Sequence, residues 1–144
     1  MTTVERILDA KGRQIFTCAP GDTVHTAVEI MAKYGVGALV VVDAKGKLNG
    51  IVSERDLLHK VTLTEKKSRE LKVRDIMSSP RWIIAPDQNI DECMAMMTAN
   101  RIRHLPVLQK NKLVGLISIG DVVKYLMNEK DFIINQLESY ITAG

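Results

Sequence analysis

Two serine–aspartate pairs with the same spacing are the residues of this sequence best suited to bind a small molecule. Ser53 precedes Asp56, and Ser118 precedes Asp121, by three positions, and each pair follows a glycine and two aliphatic residues. A carboxylate accepts two hydrogen bonds from the cis-diol of a sugar, and such charge-assisted bonds contribute about 1.5–3 kcal/mol each. The same spacing also fits a helix capping box, in which both side chains satisfy free amides at a helix start. The residues alone permit either role, or a shared one in which the serine caps and the aspartate faces a cleft.

Basic residues distinguish the second half of the chain from the first. Arg101, Arg103 and His104 occupy the positions where the first half has Gly35, Gly37 and Ala38. A guanidinium group matches the geometry of phosphate oxygens, so a phosphate contact and an ordinary solvated charge are the two alternatives for Arg103. His104 is either a further ligand contact or a structural residue.

The two halves are diverged copies of one unit. Residues 20–57 and 86–122 align with a single one-residue gap opposite Gly46, and nine aligned positions are identical. In each copy the hydrophobic periodicity predicts a strand, a helix, a hairpin of two strands and a second helix. The first copy is predicted to have strands at 14–18, 38–43 and 48–53, a helix that ends at Gly35, and a helix over 54–61. The second is predicted to have strands at 82–85, 105–108 and 113–118, with a helix around 90–97 and a last helix.

Neither copy, at roughly fifty to sixty residues, buries enough surface to be stable alone, so the two are expected to pack their sheets together. We expect a first repeat at 4–63, a charged linker or short helix at 64–72, a second repeat at 73–128 and a helical extension at 129–144. The last helix carries an apolar stripe from Val122 to Ile141, which continues beyond the repeated unit. This stripe favours self-association over folding back onto its own domain.

These motifs resemble those of CBS domains. Segments 50–56 and 115–121 are similar to the Gly-apolar-apolar-Ser/Thr-x-x-Asp signature of the family, and segment 103–107 to its basic pair before a Leu-Pro-Val strand. The resemblance extends over residues 4–124. It implies an α/β (α+β) fold of two β-α-β-β-α repeats packed by pseudo-two-fold symmetry, here with an N-terminal helix and an extended C-terminal helix.

The resemblance also implies two ligand sites between the repeats. In the family, each repeat's aspartate holds the ribose of a nucleotide, the preceding serine or threonine assists, and aliphatic or backbone groups sandwich the adenine. The site expected to contain cations comprises Ile51, Ser53, Asp56, Trp82, Ile83, Arg103 and His104. The other site, expected to lack a comparable cation, comprises Val36, Gly37, Ala38, Leu116, Ser118 and Asp121.

The function implied by the resemblance is regulatory. We expect a homodimeric module that binds an adenosine-containing ligand, such as AMP, ADP, ATP, NAD or S-adenosylmethionine, senses energy or redox state, and acts on a separate effector protein. The alternative is a protein-interaction or dimerisation module with vestigial clefts. The sequence contains no recognisable nucleophile–base pair, Walker-type loop or metal-ligand set, so we expect neither enzymatic activity nor a catalytic cofactor nor a metal.

Composition restricts the partners and the compartment. A formal net charge of +3 in 144 residues is too small to favour nucleic acid. No apolar run approaches the ~20 residues that a membrane span needs, and residues 1–13 lack the apolar core of a signal peptide. Cys18 and Cys93 do not form a metal or redox motif and are expected to be buried thiols in a reducing compartment. We therefore expect a cytoplasmic protein.

Overall fold

The structure is a computed structural model, and it describes residues 2–143. Each repeat forms one β-sheet. In the first sheet, β1 (Thr17–Cys18) runs parallel to β2 (Ala38–Val42), and β2 pairs antiparallel with β3 (Leu48–Ser53). In the second sheet, β4 (His104–Gln109) pairs antiparallel with β5 (Lys112–Ser118). The two predicted hairpins are therefore present, one in each repeat.

Six α-helices surround these strands within the described residues. They are α1 (Val4–Lys11), α2 (Val24–Tyr34), α3 (Glu54–Asp56), α4 (Val73–Ile76), α5 (Ile90–Asn100) and α6 (Ile119–Ala143). The predicted helix at 54–61 is present, but it continues after α3 as a π-helical turn, Leu57–Val61. The order of elements confirms the predicted fold of two α/β repeats with an N-terminal helix and an extended last helix. No helix in the described part of the chain is long and apolar enough to cross a membrane.

The first strand of the second repeat is shorter than predicted. Where a strand was expected at 82–85, only Ile84 forms a bridge, parallel to Val107. Its amide donates to the carbonyl of Pro106 at 3.0 Å, and its carbonyl accepts from the amide of Leu108 at 2.9 Å. Extension of this parallel pairing towards residue 82 would need the amide of residue 106 as a donor, and proline lacks that amide. In the first repeat, likewise, the strand predicted at 14–18 is reduced to Thr17–Cys18.

The segment at 64–72 is more than a solvated linker. It forms turns rather than a helix, and Leu71 is buried in the hydrophobic core of the first repeat. The amide of Val24, at the start of α2, donates to the carbonyl of Leu71 at 2.9 Å. The apolar side chain of Leu71, among charged neighbours, was not recognised as a core residue.

The hydrophobic core has two parts, and each is completed by a helix that leads into the other repeat. Val4, Ile7 and Leu8 of α1 precede the first sheet but are buried in the core of the second repeat. Conversely, Val73 and Ile76 of α4, which precede the second sheet, are buried in the core of the first repeat. The core of the first repeat therefore includes α4 and not α1, although α1 lies within the segment 4–63 expected for that repeat.

Matching backbone hydrogen bonds fix this exchange of helices. The amide of Val4 donates to the carbonyl of Gln88 at 2.9 Å, and the amide of Val73 donates to the carbonyl of Asp22 at 2.8 Å. Gln88 and Asp22 are equivalent in the two repeats, as are the two valines. These reciprocal contacts are those of the expected pseudo-two-fold arrangement.

Both cysteines are buried and unpaired, as predicted. Burial raises the pKa of the Cys18 thiol to about 12, with a further contribution from Asp22. Burial likewise raises the pKa of Cys93 to about 11. Neither thiol is expected to react at neutral pH in the folded protein, because the thiolate is the nucleophilic form.

Candidate functional site

A cavity of about 440 Å³ lies between the repeats, where β3 ends and β4 begins. Most of the residues predicted for the Asp56 site line it: Ile51, Ser53, Asp56, Trp82, Arg103 and His104. Ile83 does not line the cavity and is exposed, which corrects its assignment. Successive residues of an extended segment point to opposite sides, so Trp82 and Ile83 cannot both face the cleft.

Ser53 and Asp56 form a complete capping box at the end of β3. The Asp56 amide donates to Ser53 Oγ at 3.3 Å, and the Ser53 amide donates to Asp56 Oδ2 at 2.9 Å. Asp56 also lines the cavity, although its side chain is almost entirely buried. The motif therefore has its capping role, and the same carboxylate is placed where a ligand could reach it.

Two residues that the motif did not predict complete the surroundings of the Asp56 carboxylate. Ser78 Oγ donates to Oδ1 at 2.9 Å, and Lys60 Nζ lies 3.0 Å from the same oxygen. Lys60 is four residues from Asp56, a spacing that brings helical side chains together and could have indicated the pair. Ser78 gave no local signal; it reaches the site because its backbone pairs with that of Ile51 across the two repeats.

The charge of the cavity is mainly positive. Its lining includes four Lys and Arg side chains, Arg55, Lys60, Arg101 and Arg103, against two carboxylates, Glu54 and Asp56. His104 adds no full charge at pH 7, because burial lowers the pKa of its imidazole. Lys11 and Arg103 lower that pKa further, and Asp121 opposes them. The predicted basic pair is thus one cation, Arg103, and one imidazole that is mostly neutral.

The Ser118–Asp121 motif forms the equivalent capping box, with bonds of 2.9 and 3.0 Å. This cleft was expected to lack a cation, but one lies beside the Asp121 carboxylate. Lys11 Nζ lies 2.6 Å from Asp121 Oδ2 and donates to the carbonyl of Leu116 at 2.8 Å. Burial alone would raise the pKa of Asp121, but the hydrogen bonds from Lys11 and from the Ser118 amide outweigh it, and the pKa lies below its ordinary value.

Two more of the residues predicted for the Asp121 site, Val36 and Ala38, belong to the first repeat's own packing. Val36 packs against the core of the first repeat, and Ala38 is buried in β2 opposite Ser53. Gly37 lines the Asp56 cavity instead, beside the carboxyl group of Glu54. The pairing of β2 with β3 holds this segment in place, and the assignment of Val36, Gly37 and Ala38 to the Asp121 site stays a prediction.

A profile of the CBS domain matches residues 6–62 and 73–128, which together make up most of the chain. The chain belongs to the CBS-domain family. CBS pairs are typically regulatory and ligand-binding, and the two matched segments correspond to the two repeats described above.

Relatives of this CBS pair occur in several organisms. It is 37% identical over 151 residues to a mitochondrial CBS-domain-containing protein of Arabidopsis thaliana, with 99% of this chain and 73% of that protein covered. A solved structure of a protein with CBS domains from Burkholderia ambifaria MC40-6 is 48% identical, with a TM-score of 0.84 and coverage of 88% and 95% of the two chains. A hexameric CBS-CP12 protein from bloom-forming cyanobacteria is 26% identical, with a TM-score of 0.76 and coverage of 85% and 70%.

The two clefts of this CBS pair differ because their lead-in helices differ in length. Helix α4 has four residues, and the chain after it is extended, so that Ser78 pairs with Ile51 at the edge of β3. Helix α1 has eight residues, and its last residue, Lys11, reaches β5 through its side chain. One additional helical turn therefore places an ammonium group where the other cleft has backbone pairing.

Proposed function

We propose that this CBS pair is a regulatory module that binds an adenosine-containing nucleotide in the cleft around Asp56. Candidate ligands are AMP, ADP, ATP, NAD and S-adenosylmethionine. The observation that carries the proposal is a single cavity of about 440 Å³ that combines a buried carboxylate, an indole and several cations. Its volume lies within the range of small-molecule sites, about 300–1,000 Å³.

The carboxylate of Asp56 suits the ribose. A cis-diol would replace Ser78 Oγ and Lys60 Nζ at Oδ1, where both now lie within about 3 Å. Because the bonds are exchanged rather than added, a ligand gains most when it has hydroxyl groups to substitute for them. Lys60, once released, and Arg103 would both be available to phosphate oxygens, while Trp82 offers an apolar face to the base.

The Asp56 cleft is proposed as the stronger of the two sites. At the other cleft, Lys11 already neutralises Asp121 and also holds the carbonyl of Leu116. Asp56 is likewise paired, with Lys60 at 3.0 Å, so the preference rests on the cavity that Trp82 and Arg103 share with Asp56.

The test is a comparison of ligands and of two matched variants. Adenosine, AMP, ATP, NAD and S-adenosylmethionine are added in a thermal-unfolding assay, and a ligand at about 100 times its Kd should stabilise the fold by about 2.7 kcal/mol. Asp56→Asn and Asp121→Asn perturb equivalent capping boxes, so each controls for the other's effect on the fold. Asp56→Asn should abolish most of the ligand-induced shift, whereas Asp121→Asn should retain it. Equal losses, or the reverse order, would contradict the choice of cleft.

We further propose that the module is non-enzymatic and acts through a separate effector protein in a reducing compartment such as the cytoplasm. The two buried, unpaired thiols are consistent with such a compartment. Its small net charge of +3 does not favour nucleic acid as a partner.

Homodimerisation is proposed through the C-terminal part of α6. From Met127 onwards, large apolar side chains of this helix are exposed. Met127, Ile134 and Ile141 recur at seven-residue intervals, and Leu137 lies between the last two. This spacing forms a seam of the kind that two helices bury against each other. Residues 129–142 are all exposed, so this part of the helix does not fold back onto its own domain.

The alternative function is a protein-interaction module whose clefts no longer bind a ligand. Two observations favour it: both aspartates are engaged in complete capping boxes, and the apolar face of α6 is exposed. Failure of every adenosine compound to raise the unfolding temperature at millimolar concentration would support this alternative over nucleotide binding.

A further inference from the structure

A second cavity, of about 740 Å³, opens between the helical segment that follows β3 and the C-terminal end of α5. Residues from these two elements line both cavities: Glu54, Arg55, His59, Arg101, Ile102 and Arg103. The two spaces therefore meet along this row, with Asp56 in the first cavity only. A ligand held at Asp56 that is longer than a nucleoside monophosphate has room to continue past the row.

The row contains three arginines. Arg55 Nη1 donates to the carbonyl of Arg101 at 3.2 Å, which ties α3 to the end of α5. The carbonyl of Arg103 accepts from the amide of Ile119 at 2.8 Å. None of the three guanidinium groups forms a salt bridge with another of residues 2–143. The carboxyl group of Glu54 lies beside Gly37.

The backbone at Arg101 adds a separate observation. Arg101 ends α5 in the left-handed conformation, with φ 54° and ψ 42°, as Gly35 ends α2 with φ 64° and ψ 37°. Residues other than glycine adopt this conformation at an energetic cost that glycine avoids. The second repeat thus retains an arginine at a position where local geometry favours glycine, and that arginine lines both cavities.

We propose that Arg55, Arg101 and Arg103 bind a second phosphoryl group of the nucleotide held at Asp56. The cleft would then prefer adenosine ligands with a phosphoanhydride, such as ADP or larger ones, to AMP. Guanidinium groups form paired hydrogen bonds to phosphate oxygens, and three of them without carboxylate partners match the charge of a diphosphate. This inference rests on the proposed binding of an adenosine nucleotide at Asp56.

Isothermal titration calorimetry with adenosine, AMP and ADP, at constant ionic strength and without divalent cations, tests the inference. The wild type should bind ADP about tenfold more tightly than AMP, which corresponds to one charge-assisted hydrogen bond of ordinary strength. Arg55→Gln should bring the ADP-to-AMP affinity ratio close to one and leave adenosine affinity unchanged. Arg6→Gln removes the same charge from an exposed arginine of α1 and should leave the ratio as in the wild type.

Arg101→Gly provides a second variant that should fold well, because glycine suits the left-handed backbone at this position. It should lower the same ratio. If adenosine and AMP bind but ADP binds no more tightly, the inference is overturned and the proposed function stands. If the arginine variants weaken AMP and ADP equally, the arginines contact only the first phosphate, and the inference is again overturned. If neither adenosine nor AMP binds, the proposed function itself fails.

Discussion

Gly50 and Gly115 occupy equivalent positions in the two repeats, and each is covered by the lead-in segment of the other repeat. A Cβ atom added at Gly50 would lie 2.7 Å from the carbonyl oxygen of Ser78, whereas one added at Gly115 would lie 2.6 Å from Leu8 Cδ2. Contacts at these distances require a neighbour to move. What differs between the two positions is the neighbour, a backbone carbonyl in one case and the end of a side chain in the other.

The cost of Gly50→Ala follows from this geometry. An ordinary contact begins at 3.4 Å, so the Ser78 carbonyl must retreat by 3.4 − 2.7 = 0.7 Å. That carbonyl accepts the amide of Ile51 at 3.1 Å, and a retreat of this size takes the pair beyond hydrogen-bonding distance. A lost hydrogen bond of about 1 kcal/mol and overpacking of about 1–3 kcal/mol together give an expected loss of about 2–4 kcal/mol in the free energy of unfolding.

Gly115→Ala should cost less, about 1–2 kcal/mol, because the Leu8 side chain can change its rotamer, although it is fully buried. Gly37→Ala is the matched control: its nearest neighbour, Glu54 Cδ, would lie 3.6 Å away, and the expected change is within about 0.5 kcal/mol. Urea unfolding followed by circular dichroism gives all three values, and the melting temperature of Gly50→Ala should fall by about 5–10 °C. The packing argument is refuted if Gly50→Ala is no less stable than Gly115→Ala, or if Gly37→Ala is as damaging as either.

Three further predictions concern other parts of the molecule. In sedimentation equilibrium the wild type should have about twice the 16.1 kDa chain mass, and a wild-type monomer would contradict the dimer. Leu137→Glu should shift this mass towards the monomer, whereas Gln136→Glu on the same helix should not. The pKa of His104 is lowered in the folded state, so the unfolded state binds more protons as pH falls below 6.5, and stability should decrease there. Replacement of His104 by Gln should flatten the pH dependence of urea unfolding below pH 6.5, and an unchanged slope would exclude the imidazole as its source. Cys18 and Cys93 should be labelled by a thiol reagent at pH 8 only after unfolding, since their pKa values of about 12 and 11 leave almost no thiolate; rapid labelling of the native protein would contradict their burial.

The sequence predicts those parts of the fold that depend on local periodicity. The repeat, the two hairpins and the helix end at Gly35 follow from apolar spacing and turn residues close together in the chain. Pro106 was visible too, and its missing amide explains why no full strand forms beside it. A proline at this position argues against a full strand at 82–85 beside it.

The site was less predictable because its contacts join distant segments. Ser53 and Asp56 were identified from a local motif, and Arg103 from comparison of the two copies. Lys11, by contrast, meets Asp121 across 110 positions, and nothing in the N-terminal segment indicates that α1 continues far enough to bring it there. Ser78 is placed by pairing with Ile51, another contact that requires the packed repeats.

The exchange of α1 and α4 should hold the two halves of the protein together even when the chain between them is cut. Peptide-bond cleavage in the exposed turn around Leu63 would leave one fragment with α1 and the first sheet, and another with α4 and the second sheet. Separation of the two would expose Val4 and Leu8 on one fragment and Val73 on the other, all of which are almost completely buried. The nicked protein should therefore remain assembled, and separately expressed halves should reconstitute the fold on mixing. Each half alone lacks the helix that completes its hydrophobic core, because that helix belongs to the other half.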